Sequence, residues 1–188
     1  MTLQTTITAT TGAEPATTAE AKNYLKVDFA SDDALIADAI TAAREWCERY
    51  TGTTIVAQTL RATYTDLELE SSDLYVTLPR GPLAALTSVV KYDNEGTTTT
   101  LPTADRYLLP NDTLRIVGVD TQAFAYEATY TTAPVGAVPA AFRSAIYMIV
   151  GDLYQTRSNS VIGTISAEVE MSAQRILAPY RRVIFFGQ

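Results

Sequence analysis

The hydrophobic period of this chain changes twice, and that change limits the folds open to it. Between residues 33 and 50, Leu35, Ile36, Ala39, Ile40, Ala43, Cys47 and Tyr50 recur at steps of three and four, the spacing of one helical face. After Thr53 the period falls to two. Leu60, Ala62 and Tyr64 alternate with polar neighbours, as do Leu74, Val76 and Leu78, and later Phe124, Tyr126, Ala128 and Tyr130, the pattern of half-buried strands. Helical spacing returns after Pro139 with Phe142, Ala145, Ile146, Ile149 and Leu153. Blocks of helix, strand and helix, rather than regular alternation, predict an α+β fold. The expected organisation is a helical bundle from residues 17–53 plus 134–182, with a small antiparallel β-rich insertion at 54–133. Asp93-Asn94-Glu95-Gly96 and Pro110-Asn111-Asp112 are turn chemistry, so the insertion is read as six or seven short strands in a sandwich or barrel.

Local signals set the helix ends. Thr17-Thr18-Ala19-Glu20 has capping-box spacing for a short helix through Leu25. Ser31 is the expected cap of the next helix, with Asp32 and Asp33 at the positive end of its dipole, and Gly52 stands where a left-handed C-cap ends it. Arg44–Glu48 and Glu45–Arg49 are expected as i,i+4 pairs opposite the apolar face. Pro139 suits a first helical turn. A last helix from Ser166-Ala167-Glu168 carries Val169, Ala173, Ile176, Leu177 and Tyr180. Residues 1–16, rich in Thr and Ala without a period, are expected to be a flexible arm, and 183–188 a separate C-terminal tail.

Composition removes several kinds of chemistry. The chain has no histidine and a single cysteine, so the commonest general base and transition-metal ligand is missing and no intrachain disulfide can form. There is no glycine-rich phosphate loop, nucleophile elbow or metal-spaced His/Cys set. Asp32/Asp33 and Glu168/Glu170 are carboxylate pairs, and their expected work is to serve helix starts rather than acid–base catalysis. Cys47, beside Trp46 on an apolar flank, is expected to be a buried inert thiol. No catalytic, cofactor or metal residue is therefore assigned. Net charge is −7, unevenly spread. Residues 1–53 hold four Lys/Arg against eight Asp/Glu, residues 54–133 five against ten, and residues 134–188 five against three. So acidic a body argues against gripping duplex DNA by its phosphates, while the basic C-terminal part suits an acidic partner. The first twenty residues lack a basic start and an apolar run, and no signal peptide is expected. The longest apolar run, residues 145–150, is far short of the roughly 20 residues of a membrane helix.

The stretch from 138 to 157 is unusual. Phe142, Ala145, Ile146, Ile149 and Leu153 form one stripe, and Tyr147, Met148, Val150 and Tyr154 widen it well beyond one face. A helix apolar all round is central in a bundle or covered by another chain. Both are expected here, with Tyr147, Met148 and Tyr154 at a subunit interface. Arg157 is expected to serve the negative end of this helix.

The order of these pieces resembles the head–tail adaptor (connector) family of tailed double-stranded DNA bacteriophages. The matching segments are AKNYLKVDFASDDALIADAITAAREWCERYTG, LPRGPLAALTSVVKYDNEG, VPAAFRSAIYMIVGDLYQTR and ILAPYRR, covering about residues 20 to 182. The family's proline–apolar–Tyr-Asp-x-x-Gly pattern falls on Pro79, Pro82, Leu86, Val89, Tyr92, Asp93 and Gly96. Its Tyr-x-x-Arg falls on Tyr154 and Arg157, and its Leu-x-x-Tyr-Arg on Leu177, Tyr180 and Arg181. The resemblance implies a structural virion protein without enzymatic activity or cofactor, which forms a ring, dodecameric to match a portal. Such a ring would extend the DNA channel and join capsid to tail. It also implies host cytoplasm as the place of assembly, and the portal and a tail or head-completion (stopper) protein as partners. Arg181, Arg182, Val183, Ile184, Phe185 and Phe186 are the expected portal-docking tail, arginines steering and apolar residues adding a strand to the partner. The rival reading is a monomeric β-sandwich binding module, for carbohydrate or tail-associated, with Phe124, Tyr126 and Tyr130 as its stacking platform.

Overall fold

The computed structural model describes residues 1–65, 72–120, 122–133, 136–156 and 165–182. The α+β class is observed, in two compact units. One is helical, Ala13–Ile55 with Val135–Arg182, and the other is built of strands, Met1–Gly12 with Val56–Pro134.

The β unit holds two antiparallel sheets. Strands β1 (Thr2–Thr10), β2 (Gln58–Thr65), β8 (Ala123–Thr132), β4 (Leu83–Asp93) and β5 (Thr98–Thr100) lie in the order β1-β2-β8-β4-β5. Strands β3 (Asp73–Thr77), β7 (Thr113–Val117) and β6 (Arg106–Leu109) form the second sheet in the order β3-β7-β6. Register places Leu60 opposite Tyr130, Ala62 opposite Ala128 and Tyr64 opposite Tyr126. In the smaller sheet Leu74 faces Ile116 and Val76 faces Leu114. These rungs pack into one buried cluster, so the two-residue period of the sequence is the inward face of each strand. Three buried tyrosines carry polar tips. The Tyr64 hydroxyl donates to the Thr77 carbonyl at 3.2 Å and that of Tyr130 to the Pro79 carbonyl at 2.6 Å, while Tyr126 accepts from the Asp120 amide at 2.9 Å.

Residues 1–16 are not a flexible arm. Five threonines and an isoleucine among residues 2–10 favour extended backbone, and β1 pairs with β2 from Thr2↔Thr65 to Thr10↔Gln58. Gly12 then passes so close to the main chain that an added Cβ would lie 2.8 Å from the Ala57 nitrogen.

The helical unit comprises α1 (Thr18–Leu25), α2 (Asp33–Thr51), α3 (Ala140–Gln155) and α4 (Ala167–Leu177). The capping box forms as its spacing requires, Thr17 accepting from the Glu20 amide and Glu20 from the Thr17 amide. Gly52 closes α2 in the left-handed region at φ 67°. Ser31 does not cap α2; the N-cap is Asp32, without a side-chain cap bond. Instead Asp32 accepts from the Tyr154 hydroxyl at 2.6 Å, and Ser31 donates to Asp32. Ile36, Ile40, Ala43 and Cys47 of α2 meet Phe142, Ala145, Ile146, Ile149 and Val150 of α3, with Ala173 and Leu177 of α4. Helix α3 touches α1, α2 and α4, which is why so little of its circumference is polar.

The Arg44–Glu48 pair is inside the unit rather than on a solvated face. The two residues are 2% and 0% exposed. Arg44 binds Glu14 at 2.9 Å and Glu48 at 2.8 Å. The second Glu48 oxygen accepts from the Ile55 amide at 2.7 Å, and Thr41 donates to Glu14. Two charges can leave water here because each finds charge and hydrogen bonds together. The cluster ties the segments before α1 and after α2 to the middle of α2.

Candidate assembly surfaces

Two residues expected at a subunit interface are held within the helical unit. The Tyr147 ring stacks on Tyr24 with centroids 5.5 Å apart, and its hydroxyl accepts from Arg143, which also donates to Glu20 at 2.7 Å. The hydrogen bond to Tyr147, with the negative charge of Glu20, holds the Arg143 guanidinium above its ordinary range. The Tyr24 ring covers Gly151, from which an added Cβ would be 3.4 Å away. Tyr154 is half-buried with its hydroxyl committed to Asp32, and Met148 is half-buried on the same helix. Among the described residues of this unit, the large apolar side chains most open to solvent are others: Tyr24, Phe29, Leu35, Met171 and Tyr180. Phe29 and Leu35 flank the start of α2; Leu35, expected on the helix's apolar face from its spacing, is 44% exposed, and the buried stripe of α2 begins at Ile36.

The C-terminal segment has a fixed beginning. After α4, Tyr180 meets Phe142 edge-on at 5.2 Å. The Arg181 guanidinium lies 5.8 Å from the Tyr50 ring centre, and Tyr50 stacks on Trp46. The Arg182 amide donates to the Thr51 carbonyl at 2.7 Å, satisfying an acceptor at the end of α2. Val183, Ile184, Phe185 and Phe186 lie outside the described residues, as does Arg157.

The strand aromatics do not make a stacking platform. Tyr126 and Tyr130 are buried in the β core, and only Phe124 is exposed, beside the register shift between Tyr92 and Asp93. On the smaller sheet, Arg115 lies between Tyr75 and Tyr107, 5.7 and 5.8 Å from their ring centres, and binds Asp73 at 2.7 Å. The proline–apolar–Tyr-Asp-x-x-Gly pattern is structural: Val89 enters the core, Asp93 accepts from the Glu95 and Thr97 amides, and Gly96 turns at φ 83°.

The carboxylate pairs serve local structure. Asp33 binds Lys22 at 2.6 Å, and Glu170 accepts from Gln174. Burial pushes the Cys47 thiol up to about 12, which leaves it protonated and unreactive at neutral pH. Among the described residues no His/Cys/Asp/Glu group is placed to hold a metal ion. None of the described helices is long and apolar enough to cross a membrane.

What the fold offers is contact surface, and the comparisons agree in kind. Residues 15–100 match the model of the phage gp6-like head-tail connector family, and the resemblance drawn from the sequence motifs is thereby shown. The same fold is found in solved structures of gene transfer agent particles. A chain from the virion of a native particle aligns with a TM-score of 0.67 at 21% identity, over 100% of this chain and 99% of that one. Chains from the neck of an empty particle computed with C6 symmetry and the neck of a native particle computed with C12 symmetry give 0.65 and 0.64, at 20% and 21% identity. Each covers 100% of this chain and 99% of its own. No curated protein matches the chain.

Proposed function

We propose that the chain is a structural connector subunit of a phage-like particle, without catalytic activity, forming a ring between head and tail. The observation that carries this reading is the match of residues 15–100 to the connector family. The fold shared over full length with neck proteins solved under sixfold and twelvefold symmetry supports it. In this reading twelve copies sit below the portal, continue the DNA channel and present a platform to a tail or stopper protein, having assembled in the host cytoplasm. A net charge of −7 suits a wall past which DNA slides without sticking. Neighbouring copies meet on the half-exposed edge of Tyr147, Met148 and Tyr154. The portal takes the C-terminal tail, with Arg181 and Arg182 at its root and Val183, Ile184, Phe185 and Phe186 as the anchor.

The test is assembly. Particles lacking the protein should be filled heads without tails, and tails should return when it is supplied. Tailed particles in its absence overturn the reading. Deleting residues 183–188 should leave folding intact and abolish attachment to portal-bearing heads. Tyr147→Glu, whose carboxylate stays within reach of Arg143, should fold and yet fail to enter rings.

A further inference from the structure

The β unit contains one element that its own core hardly needs. Strand β1 runs nine residues, Thr2–Thr10, and is an edge of the five-stranded sheet. Of its core-side residues, Leu3 packs on the β core, but Ile7 stays 36% exposed although it faces the fully buried Leu60. Monomeric proteins blunt a long edge with charge, proline or a very short strand. Residues 2–10 contain no charged residue, proline or glycine. Their one irregularity is the register shift between Ile7 and Ala9.

The opposite edge of the same sheet is β5, Thr98–Thr100, three exposed threonines. Both edges are neutral and threonine-rich, so bringing one against the other sets no like charges together and favours threonine cross-strand pairs. The chain direction also fits. All four adjacencies from β1 to β5 are antiparallel, so over five strands β1 and β5 point the same way. Rotation about an axis along the strands therefore brings β1 of one copy beside β5 of the next in parallel. Two different edges on one copy make a head-to-tail contact, the kind that closes into a ring.

We infer that β1 is an assembly strand, adding to the β5 edge of a second copy of this chain so that the large sheet continues from subunit to subunit. This rests on the ring reading above. The pairing covers only three residues of β5, and each contact is weak alone. It gains strength where copies are already gathered around one axis. Ile7 is covered when the neighbour arrives.

The experiment is thiol crosslinking in assembled particles with a doubly substituted full-length chain, Thr8→Cys and Thr99→Cys. Both positions are exposed, adjacent strands lie about 4.8 Å apart, and the native Cys47 is buried and unreactive. A short bismaleimide should join copies into a ladder of multimers up to the closed ring, and either single variant should stay monomeric, because like positions on neighbouring copies are a whole sheet apart. A thermal melt matching the parent confirms folding, and Gln4→Cys with Thr99→Cys is the alternative pair should the first melt early. Rings seen by microscopy without a ladder from either pair overturn strand pairing and leave the ring reading standing. Absence of the protein from particle necks overturns both.

Discussion

The two units solve the same problem with different chemistry. Each must fasten chain that belongs to no helix or strand onto its core. The helical unit uses charge: Arg44 holds Glu14 and Glu48, and Glu48 holds the Ile55 amide. The β unit uses neutral hydroxyls: Tyr130 and Tyr126 reach from the core to Pro79 and Asp120, outside any strand, and Tyr64 to Thr77 at the very end of β3. A tyrosine that loses its partner exposes one hydroxyl's worth of desolvation, whereas a buried carboxylate that loses its cation is left as a bare charge. The charged clamp is therefore brittle and the tyrosine clamps degrade gradually.

Breaking the charged clamp should have the largest effect. Arg44→Met leaves Glu48 buried without its cation and should cost about 3–5 kcal/mol, read as a lowered urea midpoint or loss of soluble protein. Adding Glu48→Gln, which removes the charge and keeps an acceptor for Ile55, should recover much of that loss. If the double variant is as unstable as the single, the clamp's strength does not come from its charge. The neutral clamp should yield less. Tyr130→Phe keeps the packed ring and forfeits only the bond to Pro79, about 1–2 kcal/mol, visible as a modest midpoint shift with unchanged m-value.

The capping box comes next. Thr17→Ala should cost about 1 kcal/mol and should do so in a pH-dependent way. The Glu20 carboxyl is held below its usual range by the Thr17 amide and hydroxyl, with a smaller part from Arg143. A lowered folded-state value means that its contribution is present above the ordinary glutamate range and lost as pH falls through the depressed value. The stability gap between parent and Thr17→Ala should therefore narrow on acidification; a gap constant from neutral to acid pH assigns the cap to the hydroxyl alone. The smallest effect belongs to the half-exposed Lys91–Asp120 pair at 2.8 Å. Its neutralisation by Lys91→Met should leave the melting temperature unchanged at physiological salt, in contrast to the same chemistry buried at Arg44.

The elements that local chemistry controls are legible in the sequence alone. The period of α2 from Ile36 to Tyr50, the capping box at Thr17, the stop at Gly52 and the alternation of Leu60, Ala62 and Tyr64 are all readable because each depends on residues a few positions apart. So is the resemblance to connectors, carried by short motifs in fixed order. What sequence could not show is how distant residues share a surface. Arg44 and Glu48 look like an ordinary surface pair until Glu14 and Ile55 arrive from outside the helix. Tyr147 and Tyr154 look like surplus apolar area until Tyr24, Arg143 and Asp32 meet them. Residues 2–10 read as an arm because a lone threonine-rich strand buries almost nothing, and only β2 gives its amides and carbonyls somewhere to bond. Periodicity and capping are local and so are written in the chain; burial of charge, edge pairing and the partners of a tyrosine hydroxyl are decided when segments from 30 to 122 residues apart come together.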